Sequence, residues 1–197
     1  MSPTNLVYLA LLAVAIFWAV GAYNRLIRLK NVIGNSFGQI DVQLKRRYDL
    51  IPNLVEAAQK YLQHEREPLD AVMAARSQAR AASDAVRIRP THAPGVTALS
   101  VAEQALNGSL KRLFAVAEAC PELKADAAIR VLSAELTSTE HQVSFARQTY
   151  NDAVLDYNRA QGQFPALLIA RLFGFAPSAM LQVTQSPTEP QPVPVQM

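Results

Sequence analysis

Apolar residues are arranged along this chain in two different ways. From Leu6 to Ala22 they are continuous: LVYLALLAVAIFWAVGA carries no charge on any face. A helix of that length spans roughly 26 Å at about 1.5 Å per residue, near the lower limit for a bilayer core. Tyr8 and Trp18 lie near its two ends, where amphipathic rings favour the membrane interface. Beyond it the pattern becomes periodic. Tyr23, Leu26, Ile33, Phe37, Ile40 and Leu44 recur in steps of three, four and seven, one stripe of a helix. Run and stripe together predict a transmembrane helix that passes directly into a polar-faced helix ending near Tyr48.

Asp49 is placed to cap the next helix, with Pro52 tolerated in its first turn. That helix carries Ile51, Val55, Ala58, Leu62, Leu69 and Val72 in heptad-like register, with Glu65 on the same seam. Because the register survives Pro68, the pattern reads as one kinked helix fading near Ser83. DAVRIRPTHAPG, Asp84 to Gly95, is a connection by its two prolines and glycine. A third helix starts near Thr97, with Leu99, Ala102, Leu106, Leu113, Val116 and Cys120 as its seam, and stops at Pro121. A fourth starts near Ala125. From Ile129 through Leu136, Val143, Tyr150 and Tyr157 to Phe164 its apolar steps of three and four keep the 3.5-residue period of left-handed bundles. ALLIARLFGF, after Pro165, reads as a short apolar helix or turn with Gly174 as its C-cap.

Each of these stripes requires another helix to cover it. The expected fold is therefore all-α: an N-terminal transmembrane helix continuing into an antiparallel four-helix bundle with long helices. The expected divisions are a short tail over 1–5, the transmembrane helix over 6–23, the bundle over 24–182, and a disordered tail over 183–197. The tail carries four prolines from Thr184 onward and no periodicity.

Charge sharpens the topology. No Lys or Arg precedes the apolar run, whereas Arg25, Arg28 and Lys30 follow it. The positive-inside rule then places the N-terminus outside and the large domain in the cytoplasm, at the bacterial inner membrane. The competing reading is a cleaved signal peptide with Val20 and Ala22 at its cleavage site, but its leading segment MSPTN lacks the expected positive charge. Net charge is +3, and the one tight basic cluster is Lys45-Arg46-Arg47, too small a footprint for nucleic-acid binding. The single cysteine, Cys120, excludes an intrachain disulfide and reads as a small helix-end residue.

Little else points to catalysis. The chain has no Gly-rich phosphate loop, CxxC or recognisable Ser-His-Asp order. His64 and Glu65 form half of a metal-ligand pattern, without the second His four residues on. A carboxylate at Glu65 facing a bundle needs a partner, and Arg147 is a candidate. Tyr150-Asn151 and Tyr157-Asn158 repeat at seven residues on one face, as core tyrosines with hydroxyls reaching polar partners or as a groove with the asparagines. The densest polar group is Asp41, Gln43, Lys45, Arg46, Arg47, Asp49 and Asn53. Its structural explanation is a capped corner whose basic residues offset the negative end of the first helix. Its functional explanation is a docking surface for an acidic partner. Lipid headgroups fit less well, because a straight helix carries the group roughly 30 Å from the bilayer.

Three segments together resemble one known family. YNRLIRLKN (23–31) follows the anchor; QIDVQLKRRYDLIPNLVEAAQKYLQHE (39–65) precedes the pair Ala75-Arg76; ELKADAAIRVLSAELTSTEHQVSFARQTYNDAVLDYN (122–158) closes with FPALLIARLFGF (164–175). In order and spacing they resemble the LemA family of bacterial single-pass membrane proteins. Cys120 in place of an aromatic, Phe37 in place of a Trp, Pro68 within its helix, and Met180-Leu181-Gln182 after the last Gly-Phe depart from the family pattern. The resemblance implies a membrane-anchored helical bundle, with assembly or adaptor work rather than an established enzymatic activity.

The resulting expectation is a non-enzymatic scaffold or adaptor of the cell envelope, with no catalytic, cofactor-binding or metal-binding residues. Its expected partners are the bilayer, through Leu6 to Ala22, and a membrane or envelope protein, with self-association as a further option. Gln43, Lys45, Arg46, Arg47 and Asn53 are the candidate partner-binding residues. The alternative is a bundle enzyme or metal-binding protein with a site near His64 and Glu65.

Overall fold

A computed structural model describes residues 3–62 and 65–181, and among them it contains six helices and no strand. These are α1 (Pro3–Gln59), α2 (Glu67–Ile88), α3 (Ala93–Ala119), the single turn α4 (Pro121–Ala125), α5 (Ala127–Gly162) and the short α6 (Ala166–Leu172). The Pro-rich stretch 183–197 lies outside the described residues.

The expected passage from apolar run to amphipathic stripe is present, but α1 does not end at Tyr48. It continues to Gln59, with Pro52 inside it and Asp49 exposed in its interior rather than capping a new helix. The reason is the stripe itself. Ile33, Phe37, Ile40, Leu44, Tyr48, Ile51, Leu54 and Ala58 stay on one face and are all buried. An interior proline costs about 3 kcal/mol, whereas each fully buried Ile or Leu returns about 1.5–3 kcal/mol. Burial of Ile51 and Leu54 therefore outweighs Pro52. Part of the proline penalty is an orphaned carbonyl four residues back, that of Tyr48, and the Nε of Arg76 from α2 donates to this oxygen. A tertiary hydrogen bond replaces the helical one.

The expected kinked helix is also divided differently. Residues 60–66 separate α1 from α2, and Pro68 sits in the first turn of α2, where its missing N–H is harmless. Glu65 is exposed in this connection, not on a core seam. The loop expected from Asp84 to Gly95 shrinks to Arg89–His92, because α2 runs to Ile88 and α3 starts at Ala93 with Pro94 in its first turn. After Cys120 comes α4, and then Asp126 caps α5, its Oδ1 accepting from the N–H groups of Ala128 at 2.7 Å and Ile129 at 3.2 Å.

The long helices share one core. α1 packs along α5, α2 along α3, and α1 also meets α2. Specific pairs set the registers. Phe37 on α1 stacks edge-on against Tyr150 of α5, while Tyr61, just past α1, donates to Asp126 at the other end of α5. α6 closes the opposite end against α1 and α5. Gly174 ends α6 in the left-handed region, φ 68°, as its position near the end of ALLIARLFGF implied. The N–H of Phe175 bonds Ala170 O at 2.9 Å and that of Gly174 bonds Arg171 O at 3.4 Å, a Schellman turn. It redirects the chain so that 176–181 runs back along α5.

Candidate functional site

The polar motif of residues 41–53 lies along the middle of α1, and helix geometry divides it. At 100° per residue, Val42, Arg46, Asp49 and Asn53 share one face, with Lys45 at its edge. All five are exposed. Arg47 points the other way. It is 3% exposed, and its guanidinium donates to Glu103 Oε2 at 3.0 Å and to Asn107 Oδ1 on α3. The five candidate contact residues are thus not one surface: Lys45, Arg46 and Asn53 are outside, Gln43 is half-buried, and Arg47 is in the core.

Around Arg47 the core is a polar knot. Tyr48 donates to Glu103 Oε1 at 2.5 Å, so both oxygens of this carboxylate are engaged from α1. Burial, then the adjacent Glu103 charge and hydrogen bond, push the Tyr48 phenol far above its ordinary value and keep it a donor. Arg147 of α5 lines the same small recess as Glu103, together with Leu44, Leu99 and Val143. Its guanidinium pKa is lowered by burial, with Glu103 and Glu140 opposing and Arg47 reinforcing the shift. Arg147 therefore serves the Glu103 region, not Glu65. Asp41 completes the set, its Oδ2 accepting from Lys45 at 2.6 Å and its Oδ1 from Ser83 of α2 at 3.4 Å. A carboxylate already holding an Arg and a Tyr is poorly placed to act as a general base, and the recess, about 20 Å³, has room for one water. The knot is equipped to set register between α1, α2 and α3.

A second polar array was legible as the Tyr-Asn repeat. Tyr150 OH donates to Pro90 O at 2.9 Å and Tyr157 OH to Ala176 O at 3.0 Å. Asn151 bonds both backbone groups of Leu181, and Asn158 those of Ser178, at 2.9–3.0 Å. The groove that these asparagines line is filled by the chain's own 176–181 segment. Burial raises Tyr150 to about 12 and also raises Tyr157.

What remains open lies on the surface. A groove between α1 and α5 is lined by Gln39, Val42, Gln43, His141, Gln142 and Phe145. Val42 and Phe145 are 62% and 75% exposed. Gln43 Oε1 is buried and has no hydrogen-bond partner among the described residues. This groove adjoins Arg46, which sequence reasoning singled out. Phe145, on the facing helix, was missed because it interrupts no motif and lies off the α5 stripe. Of the alternative pair, His64 lies outside the described residues, and Glu65 lines a shallow groove with Arg112 and Cys120. Among the described residues no three His, Cys, Asp or Glu side chains group closely enough to hold a metal ion.

The fold defines an all-helical protein whose first helix contains a segment long and apolar enough to cross a membrane, none of it buried. The chain belongs to the LemA family, whose family model matches residues 36–196. No curated protein matches it. The matched region begins after the apolar run and contains the whole polar knot, both partners of the open groove and the Tyr-Asn array.

Proposed function

We propose that this protein is a non-enzymatic scaffold or adaptor of the bacterial cell envelope, a single-pass protein of the inner membrane that holds a protein partner beside the bilayer. Leu6 to Ala22 cross the membrane, the N-terminus faces out, and residues 24–182 form an antiparallel four-helix bundle in the cytoplasm. Register supports the bundle: from Phe37 to Tyr61 along α1, the partner on α5 falls from Tyr150 to Asp126. Likewise Tyr48 meets Arg76 and Asp41 meets Ser83 on α2. The basic residues Arg25, Arg28 and Lys30 support the orientation.

The observation that carries the scaffold reading is the division of labour on α1. Its Arg47, Tyr48 and Asp41 are spent inside on register, while Val42, Arg46 and Asn53 face out, Val42 lining the groove that Phe145 borders. Exposed apolar groups, a basic neighbour and the unsatisfied Gln43 acceptor suit a protein segment with an apolar anchor, an acidic residue and a donor. Crosslinking in intact cells, followed by detergent purification of the full chain, tests it. A partner recovered in near-stoichiometric yield from the native protein should be lost with Arg46→Glu or Phe145→Asp, at an unchanged unfolding midpoint. Recovery unaffected by both substitutions would refute this face as the docking surface.

A further inference from the structure

The end of the molecule next to the apolar run has a composition unlike the rest. No Asp or Glu occurs before Asp41, nor between Tyr157 and Leu181, and these two stretches meet in space. α6 docks its inner residues Ile169 and Ala170 on Leu26, with Ala19, Ala22 and Tyr23 packed against the same cluster. The Tyr23 ring meets Phe173 edge-on at 4.9 Å and Phe175 at 5.6 Å. Ala19 and Ala22 are the last turn of the apolar run, so α6 lies at the level where that run ends.

The outer face of α6 is apolar. Leu168 and Leu172, four residues apart within α6, are 57% and 76% exposed, with Phe164 in the turn before the helix at 81% and Phe173 just after it at 58%. Arg171 of α6 is exposed, as are Arg25 and Arg28 on either side of Leu26 and Arg159 next to Ala160, the residues on which α6 docks. An apolar face rimmed by arginines, free of acids and continuous with a span-length apolar helix has the chemistry of an interfacial element.

We propose that α6 is a second membrane contact: Phe164, Leu168, Leu172 and Phe173 enter the headgroup and acyl boundary of the bilayer crossed by α1. The surrounding arginines meet anionic lipid headgroups. The element fixes the tilt and height of the bundle over the membrane, which a single spanning helix leaves free. This rests on the reading of Leu6 to Ala22 as a membrane span, so its test carries a separate control for that reading.

The full chain with Cys120→Ser is reconstituted in vesicles of phosphatidylcholine containing about a quarter phosphatidylglycerol, enough for a negative surface potential. One cysteine is added at a time for a polarity-sensitive fluorophore: Ile16→Cys in the apolar run, Leu168→Cys on α6, or Val131→Cys on α5. These side chains are 55%, 57% and 58% exposed in the protein, so differences between them report the surroundings. Lipids spin-labelled near the top of the acyl chain should quench the Leu168 site about threefold or more above Val131. Quenching at Leu168 no stronger than at Val131, with Ile16 quenched by deep spin labels, would overturn the proposal and leave the span intact. An unquenched Ile16 would instead refute the span. A blue-shifted but unquenched Leu168 would mean that a second copy or another protein covers α6, and would also overturn it. Vesicles of phosphatidylcholine alone should weaken quenching at Leu168 and not at Ile16; no difference would refute the role given to the arginines.

Discussion

Two buried polar regions stabilise this fold by different means. The knot at Arg47, Tyr48 and Glu103 joins helices with a charged pair, whereas the Tyr150-Asn151-Tyr157-Asn158 array joins a helix to the irregular segment 176–181 with neutral groups. Charges removed from water carry a desolvation penalty that is repaid only while every partner is in place. The knot therefore makes a wrong register very unfavourable without adding much to the right one. The asparagines act differently, because each satisfies the N–H and C=O of a single backbone residue, as a neighbouring strand would. The knot specifies which helices meet and where, and the array seals a segment onto a surface already formed.

The difference is largest for a truncation in the knot. Glu103→Ala should destabilise the protein by about 3–5 kcal/mol, since Arg47 is left buried and uncompensated. Denaturant unfolding of the detergent-solubilised full chain measures it. Arg47→Met combined with Glu103→Leu and with Tyr48→Phe, which removes the hydroxyl that Glu103 accepts from, should restore most of that loss, and if this variant is as unstable as Glu103→Ala, the charged pair contributes net stability rather than specificity.

Arg76 comes next. Arg76→Met should cost about 1–3 kcal/mol by leaving the Tyr48 carbonyl unpaired. In a Pro52→Ala background, where a backbone N–H is available to that carbonyl, the same substitution should cost clearly less, and a double-mutant cycle reads the coupling. Additive effects would show that Arg76 does not compensate for the proline.

Asn158→Ala should cost about 1–2 kcal/mol, with a signature that the knot variants lack: faster amide exchange at Ser178 and little change in the helices. Loss of protection throughout α5 would instead make the array part of the cooperative core.

The smallest effect lies at the rim. Asp126 has its pKa lowered first by the Tyr61 hydroxyl, then by the N–H groups of Ile129 and Ala128. A depressed folded-state value means that the contribution is fully present above the ordinary value of 3.8 and is lost as pH falls through the lower folded one. Acid titration of stability below about pH 4 should be shallower in Asp126→Asn than in the native chain. An identical slope would mean that Asp126 is not among the carboxylates that drive acid unfolding.

Much of this molecule was determined by local sequence. The uncharged run Leu6 to Ala22 and the stripe after it required one long helix. The period from Ile129 to Tyr157 required another, and Gly174 marked the turn that ends α6. These follow from the chemistry of neighbours three or four residues apart, which a one-dimensional pattern contains. The ends of helices near prolines did not follow. Pro52 lies inside α1 because Arg76, far away in the chain, supplies the missing donor, and Pro68 starts a helix rather than kinking one. The candidate site behaved in the same way. Lys45, Arg46 and Arg47 are equivalent as a basic triplet, yet the helix sends Lys45 and Arg46 to solvent and Arg47 to Glu103, and it sets Val42 opposite Phe145. Which of three adjacent charges is buried depends on where a carboxylate from another helix arrives, and only the tertiary structure decides that.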